Sequence, residues 1–225
     1  MSAPVRRLQP IIAIDGPAAS GKSTVGKALA ERLNYVYIDT GALYRAAAWL
    51  ATRENITPDE PAGLAEIIAS TAITLTGDRK VLVGDHDVTD EIRTEQIGGL
   101  ASAFSALPAV RATLLGLQRK LGLSGGVVMD GRDIGTVVFP DAEVKIFLHA
   151  SEEERGRRRW SELVDRGVTA EREEVSREMR RRDHRDRTRT SAPLVPAKDA
   201  VSIDSTGLTP SDVVDRIAAL AEART

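Results

Sequence analysis

Short apolar runs and helical periodicity alternate through the first part of this chain. Residues 11–14, Ile-Ile-Ala-Ile, form a continuous apolar run that stops at Asp15 and a glycine turn, which predicts a buried strand. Apolar residues recur at helical spacing over 22–33, and a second strand is predicted at 35–38, followed by a helix at 41–53. Strand, glycine loop, helix and strand in this order favour a parallel sheet with helical crossovers.

A different pattern begins after Pro58 and predicts a small antiparallel insert. Ile73 and Leu75 alternate with threonines, and Gly77-Asp78 favours a tight turn between short strands. The insert strands are predicted at 73–75, 80–83 and near 87–88. The other segments are predicted as helices at 60–70, 94–107, 109–123, 151–167, 171–187 and from 209 onward, and as strands at 127–129, 144–148 and 200–203.

Composition argues against several classes of function. The 225 residues carry 31 basic and 33 acidic side chains, a formal net charge of −2, so no general positive field favours a nucleic acid polymer. The chain has no cysteine, which excludes disulfides, thiolate catalysis and cysteine-based zinc sites. No segment approaches the roughly 20 apolar residues of a membrane-spanning helix. We therefore expect a cytoplasmic protein without membrane contact, and a monomer, because the helices keep no spare apolar stripe.

A glycine-rich loop after the first strand has the residue types that hold nucleotide phosphates. Its spacing is G-x-x-x-x-G-K-[ST], in which glycines let the backbone approach phosphates and direct N–H groups at them. The next helix adds the positive end of its dipole. In such loops the lysine reaches the β- and γ-phosphates and the serine hydroxyl binds Mg²⁺. The predicted ATP-binding residues are Gly16, Pro17, Ala18, Ala19, Ser20, Gly21, Lys22, Ser23 and Thr24, with Lys22 also catalytic and Ser23 the metal ligand.

An arginine-rich stretch runs from Ser151 to Thr190, with thirteen arginines against eleven acidic residues. It has three interpretations: solvated helices laced with ion pairs, an RNA-binding arm, or a lid that closes over ATP. Together with the phosphate loop the lid is favoured, because phosphoryl transfer needs several cations and must exclude water. A Ras-like GTPase is disfavoured, since neither asparagine, Asn34 or Asn55, precedes a lysine.

Longer runs make the chain resemble the bacterial cytidylate kinases over nearly its whole length. The most restrictive is DGRDIGTVVFP, from Asp130 to Pro140. The other matching runs are residues 14–17 leading into the phosphate loop, DTGALYR at 39–45, DEIR at 90–93, and residues 144–148, 182–186 and 192–194.

The resemblance implies a P-loop α/β fold with a central five-stranded parallel sheet flanked by helices, a small antiparallel monophosphate-binding insert and a mobile helical lid. We expect one kinase domain over 1–225, with its core at 1–60, 98–155 and 188–225, the insert at about 61–97 and the lid at about 156–187. The implied reaction transfers the γ-phosphoryl group of ATP to CMP or dCMP, giving ADP and CDP or dCDP. Its implied cofactor is Mg²⁺, and its partners are ATP and CMP or dCMP.

The resemblance also implies roles for side chains outside the phosphate loop. Arg132 and Arg182 resemble phosphate contacts, which we count as catalytic together with Lys22. The other implied contacts are Thr40 and Arg45 with the monophosphate, Ser102, Arg111 and Asp133 with cytosine, Asp186 and Arg189 with the acceptor sugar and nearby groups, and the lid arginines Arg158 and Arg159 with ATP.

The chemistry is consistent with these residue types. A phosphate monoester has a second pKa near ~6, so the acceptor is largely dianionic at pH 7 and needs no general base. A carboxylate at position 133 would accept from the N4 amine of cytosine, whereas uracil presents an acceptor there. On spacing alone, a structural role for Asp133, as a helix cap or in an ion pair with Arg132, is as well supported as the base-reading role.

Two alternatives stay open at this point. One is another P-loop kinase of small molecules, of the uridylate, shikimate or dephospho-coenzyme-A type. The other is a nucleotide-gated RNA-binding protein that uses the arginine stretch, which would show salt-sensitive RNA affinity.

Overall fold

The structure, a computed structural model, describes residues 7–77 and 79–223. The chain divides into two compact units. Unit 1 comprises the residues up to Tyr37 and from Ser124 onward, and unit 2 comprises Ile38–Leu123. The insert and lid boundaries given above remain predictions, and Asp78 of the predicted Gly77-Asp78 turn lies outside the described residues.

Unit 1 is built on a five-stranded sheet in which β1 is the central strand. The strand order is β2-β6-β1-β7-β8, and β1 pairs in parallel with β6 and β7, as β7 does with β8. The apolar residues of β1 are fully buried, as expected for a parallel strand covered on both faces. This confirms the predicted central parallel sheet. The strands are β1 (Ile11–Asp15), β2 (Val36–Asp39), β6 (Val127–Gly131), β7 (Val144–His149) and β8 (Val201–Asp204).

Two pairs of helices complete unit 1. The helices of the first pair, α1 and α8, pack against each other and against the sheet, and their apolar residues form one hydrophobic core with those of the strands. Pro210 stands in the first turn of α8, where its fixed φ fits a helix start. Thr209 at the N-cap and Asp212 within the first turn form a capping box. The second pair, α6 and α7, forms an antiparallel hairpin. The helices are α1 (Lys22–Leu33), α6 (Glu152–Asp165), α7 (Arg172–Thr188) and α8 (Pro210–Glu222).

The α6–α7 hairpin has only a small apolar core of its own. We call Leu163, Val175 and Met179 the hairpin cluster, and the side chains of Trp160, Ala170, Ala18 and Ala19 pack against it. The Trp160 indole N–H donates to the Ala170 carbonyl at 3.0 Å. Few buried apolar contacts make such a segment one of the less stable parts of a fold.

Unit 2 joins four helices to a small antiparallel sheet. The sheet has the order β3-β4-β5, which confirms the predicted antiparallel insert, and its inward residues share a core with α2–α5. At the edge of this core Trp49 donates its indole N–H to Glu91 at 2.7 Å. The elements are α2 (Thr40–Arg53), α3 (Pro61–Ser70), β3 (Ile73–Leu75), β4 (Val81–Val83), β5 (His86–Asp87), α4 (Glu95–Phe104) and α5 (Pro108–Gly122).

Two short turns are absent from the expectations given above. A 3-10 turn covers Glu91–Arg93, and a π turn covers Ile134–Val138 within the restrictive sequence run. The predicted helix at 94–107 is shorter in the structure, because α4 ends at Phe104. Within the described ranges no single helix is long and apolar enough to cross a membrane; α4 and α5 pass that test of length and composition only as a pair bent by 100°.

Candidate functional site

The glycine-rich loop between β1 and α1 has a backbone that its sequence explains. Gly16 has a φ of 153°, and a Cβ there would lie 1.9 Å from the Leu148 carbonyl oxygen, so only glycine fits. Gly21 precedes α1 with a φ of 93°, and Ala19 has a φ of 56°. Left-handed residues among right-handed ones make a backbone concave, a shape suited to binding anions.

Lys22 is buried at the mouth of this loop. Its ammonium donates to the Pro17 carbonyl at 2.6 Å and to the Ser20 hydroxyl at 3.3 Å. Burial lowers the pKa of Lys22 well below its ordinary value; the charges of Arg132 and Arg182 lower it further, and Asp130 and Asp15 oppose them. Three cations therefore lie close together here, which is costly unless an anion joins them.

Ser23 and Asp130 place two oxygen atoms, both potential metal ligands, next to each other. Only Ser23 is predicted as a metal ligand from the sequence. The Ser23 hydroxyl lies 2.9 Å from Asp130 Oδ2, and the Tyr37 hydroxyl donates to Asp130 Oδ1 at 3.0 Å. Asp130 is buried near the end of β6, and an acidic residue that ends the apolar run Val-Val-Met was the available signal. Hydroxyl and carboxylate oxygens are the ligands that Mg²⁺ prefers.

Arg132 and Asp186 form a partly buried ion pair between the β6 end and α7. Arg132 Nε donates to Asp186 Oδ2 at 2.9 Å. Burial raises the pKa of Asp186, but the charges of Arg132, Arg182 and Arg189 outweigh it and hold that pKa below its ordinary value. Asp186 therefore stays ionised, and its carboxylate interacts favourably with the charges of all three arginines.

Asp133 lies beside another of these arginines. Its Oδ1 is 3.7 Å from Arg189 Nη2, and both side chains are buried. The Asp133 side chain does not cap the π turn that follows it. Of the two structural roles considered for Asp133, the helix cap is therefore wrong. The other was an ion pair with Arg132, whose Nε donates to Asp186 in the structure.

The arginines of α6 differ in what they contact. Arg158 donates to the Ser20 carbonyl at 3.4 Å and to the Ser205 carbonyl at 2.8 Å, so it lies against the phosphate loop. Arg159 donates to Glu162 on its own helix at 2.6 Å. The structure thus places Arg158 in a hydrogen bond to the phosphate loop.

Arg155 is a further arginine of α6, and no sequence pattern singles it out. It is buried and donates to Asp183 of α7 at 2.5 Å and to the Ala18 carbonyl of the phosphate loop at 3.2 Å. One guanidinium therefore joins both hairpin helices to the loop. Ala18 and Ala19, expected to act mainly through backbone N–H groups, also pack their side chains against the hairpin cluster.

In unit 2, the start of α2 carries the two residues expected to hold the monophosphate. Thr40 is buried in the first turn, and Asp39 before it caps the helix by accepting from the Ala42 N–H at 3.0 Å. Arg45 lies one turn further, close to Gly41. Arg93 pairs with Asp39 at 3.1 Å, which brings a cation of the DEIR run to this helix start.

The other two unit 2 residues lie on the helices that pack near α2. Ser102 is buried on α4 and Arg111 on α5. Arg111 donates to the Ser105 carbonyl at 3.3 Å and lies over the Tyr44 ring at 5.9 Å. Arg111 is therefore bonded to a residue that lies one helical turn after Ser102. Ser102 and Arg111 both belong to the same unit as Thr40 and Arg45.

Comparisons with known proteins agree on one family. The family profile described as cytidylate kinase matches residues 12–223. A cytidylate kinase of Geobacter sp. (strain M21) is 53% identical over 214 residues, covering 94% of this chain and 92% of the relative. A cytidylate kinase of Streptococcus pneumoniae serotype 19F (strain G54) is 46% identical, covering 95% and 97%. Among solved structures, an uncharacterized protein from Eubacterium ventriosum has a TM-score of 0.54 at 16% identity, covers 96% of this chain and 100% of its own, and shows the fold alone.

Proposed function

This chain belongs to the cytidylate kinase family, and we propose that it transfers the γ-phosphoryl group of ATP to CMP or dCMP. It is a nucleoside monophosphate kinase of the P-loop type. The proposal assigns ATP to the loop from Gly16 to Thr24 and the acceptor to the residues named for it above.

The observation that carries this proposal is the convergence of cations at the phosphate loop. The Lys22 ammonium is disfavoured by its own burial and by Arg132 and Arg182. Bound phosphates would relieve that repulsion, so the site favours a polyanion over a neutral ligand. Bringing ATP and a nucleotide monophosphate together requires this cluster, because both reactants are polyanions.

The reaction needs positioning more than proton transfer. An oxygen of the acceptor phosphate attacks the γ-phosphorus, the bond to the β-phosphate oxygen breaks, and ADP leaves. The acceptor is already dianionic near pH 7, so no residue has to remove a proton. We propose that Lys22, Arg132 and Arg182 stabilise the charge on the migrating group, and that Arg158 steadies the loop from the hairpin.

Ser23 and Asp130 are proposed to hold Mg²⁺. Mg²⁺ is commonly bound by one or two protein oxygens with waters and substrate phosphates, which fits this pair of donors. Among residues 7–77 and 79–223, no group of three or more His, Asp or Glu side chains could hold a metal by themselves. The ion would neutralise phosphate charge when bound with ATP.

An acceptor panel tests the proposed function. Purified protein is given ATP and Mg²⁺ with CMP, dCMP, UMP, AMP, GMP or shikimate, and ADP release is measured. CMP and dCMP should turn over far faster than the others. A preference for UMP or shikimate would instead support one of the other P-loop kinases and contradict the cytosine-reading roles.

Asp133 is proposed to select cytosine, and the Asp133→Asn variant tests this role. Losing the carboxylate should lower the CMP preference over UMP by a factor of roughly 5 to 150, since an unmatched buried polar group costs about 1–3 kcal/mol. The measurement is the ratio of kcat/KM for CMP and UMP. Asp141→Asn is the matched control, because Asp141 is exposed and pairs with Arg7. An unchanged ratio in Asp133→Asn would remove Asp133 from base selection.

The RNA-binding alternative is not favoured. Many arginines of the hairpin are already paired with acidic residues one turn away, including Arg157 with Glu154, Arg159 with Glu162 and Arg166 with Glu162. These pairs lower the positive field that an RNA backbone would need.

The α6–α7 hairpin is proposed to act as a lid over about 156–187. Its small apolar core predicts that trypsin cuts wild-type protein near Arg166, in the connection between the helices. An unreactive ATP analogue with CMP should slow this cleavage by about tenfold, measured by gel and mass spectrometry. Cleavage after exposed Lys198 serves as the reference site. Equal protection at both positions, or at neither, would argue against a ligand-coupled lid.

A further inference from the structure

The π turn Ile134–Val138 begins with two backbone amides that a single side chain holds. The first N–H groups of a helical turn have no partner within the turn. Here the Ile134 N–H donates to Asp15 Oδ1 and the Gly135 N–H donates to Asp15 Oδ2, each at 2.8 Å. Both hydrogen bonds are buried. Asp15 therefore caps a turn that lies more than a hundred residues further along the chain, in a place that water does not reach.

The turn in question fixes the residue just before it, Asp133. Asp133 has φ of −151° and ψ of 27°, outside the common backbone regions. Its carbonyl accepts from the N–H groups of Val137 at 2.9 Å and Val138 at 3.2 Å. A sparsely populated conformation persists only where the surroundings hold it. Because the Asp133 side chain supplies no cap, the amides bound by Asp15 are part of what holds this conformation.

Asp15 and the turn that it caps both lie in the central part of the fold. Asp15 ends the central strand β1 and directly precedes Gly16, where the phosphate loop starts. The stem of Lys145 packs behind the same turn, since a Cβ on Gly135 would lie 3.2 Å from Lys145 Cδ. The Lys145 ammonium donates to the Pro140 carbonyl at 2.5 Å and pairs with Asp199. The turn is thus clamped between the strand that carries the phosphate loop and its neighbour β7.

We propose that Asp15 is a positioning residue that sets the orientation of Asp133 and Arg132 relative to the phosphate loop, and so governs acceptor affinity and base selection. This inference rests on the proposed function. It goes beyond it by assigning a role to a carboxylate that contacts the backbone of the turn rather than a substrate. Arg132 belongs to the same short segment, one residue further from the cap, so a loosened turn would misplace both side chains.

The energetics of Asp15 agree with a specific role. Burial raises the pKa of Asp15 to about 6; the amides of Gly135 and Ile134 and the charge of Lys22 oppose this rise, and Asp133 adds to it. Keeping the Asp15 carboxylate buried and close to Asp133 costs free energy that an apolar side chain at this position would not cost. Two acceptor oxygens on one rigid side chain are what the turn requires, and asparagine offers only one.

The test is the Asp15→Asn variant of the full chain. Its amide group can accept from one N–H but turns an NH₂ group towards the other. We expect KM for CMP to rise about tenfold and the CMP over UMP ratio of kcat/KM to fall about tenfold, while KM for ATP changes less than about twofold. Asp212→Asn is the control, because it also removes a carboxylate cap but acts on α8. Asp212→Asn should leave KM for CMP and the selectivity ratio unchanged, whereas Asp15→Asn should change both.

Lower thermal stability of Asp15→Asn with an unchanged KM for CMP and an unchanged selectivity ratio would overturn the inference. If that variant does not fold, Gly135→Ala perturbs the same turn, since its Cβ would lie 3.2 Å from Lys145 Cδ and 3.3 Å from Lys145 Cγ, which is tighter than an ordinary van der Waals contact. The same two shifts are expected. Wild-type protein in the same assay reports the proposed function separately. Should wild type prefer another acceptor, that function fails, and the Asp15 comparison is then read with the preferred acceptor.

Discussion

The Lys22→Met variant is expected to lose about a thousandfold in kcat for CMP while keeping its fold. Methionine retains most of the stem that lies in the loop but removes the ammonium that would follow the migrating phosphoryl group. The fold should survive because burial, Arg132 and Arg182 all disfavour the Lys22 charge. Removing that charge relieves repulsion within unit 1, so the thermal midpoint should stay the same or rise.

The measurement is kcat from ADP release at saturating ATP and CMP, with thermal unfolding of the same samples. Lys27→Met is the matched control, since it removes an equal charge from the same helix, where Lys27 lies over the Tyr37 ring. It should keep turnover within about twofold. Near-normal turnover by Lys22→Met would contradict the assignment of the phosphate loop, and a lost fold would contradict the electrostatic argument.

The second large effect is expected from Asp130→Asn, with a loss of about 10²–10³ in kcat at ordinary Mg²⁺ concentration. The amide keeps the shape of the side chain but removes the negative charge beside the Ser23 hydroxyl. Part of the loss should return at high Mg²⁺, because weaker ion binding is then offset by mass action. A titration of turnover against Mg²⁺ measures both quantities.

Tyr37→Phe is the comparison for this variant. It removes the other hydrogen bond that Asp130 accepts but leaves the carboxylate in place, so the loss should be about threefold at most. If Asp130→Asn keeps the Mg²⁺ dependence of wild type, Asp130 acts only through packing and the metal assignment fails. Equal losses in the two variants would mean that the hydrogen-bond network matters more than the charge.

Features set by neighbouring residues in the sequence were the ones that could be predicted. The buried run at 11–14, the glycine loop and α1 follow one another directly, and each obeys a local rule of periodicity or backbone conformation. Pro108 and Pro210 likewise mark the first turns of α5 and α8, because proline fits a helix only where its N–H is not needed.

Features that depend on distant partners could not be predicted. The π turn needs the two oxygens of Asp15, which arrive from another strand. Arg155 has no local signature among the arginines of α6, and only the folded chain shows that it is the one bound to Asp183 and Ala18. From spacing alone, a structural Asp133 caps a helix or pairs with Arg132, but folding brings α7 alongside and gives Arg132 the carboxylate of Asp186.

The chain contains two tryptophans, and the fold places one in each unit. Trp49 is bonded to Glu91, whereas Trp160 packs against the hairpin cluster, which also touches Ala18 and Ala19 of the phosphate loop. The protein therefore carries a built-in fluorophore at the joint between hairpin and loop. With Trp49 replaced by phenylalanine, emission from Trp160 would report the state of that joint alone. Stopped-flow mixing with ATP would then show whether the joint changes on binding, and how fast, without any attached dye.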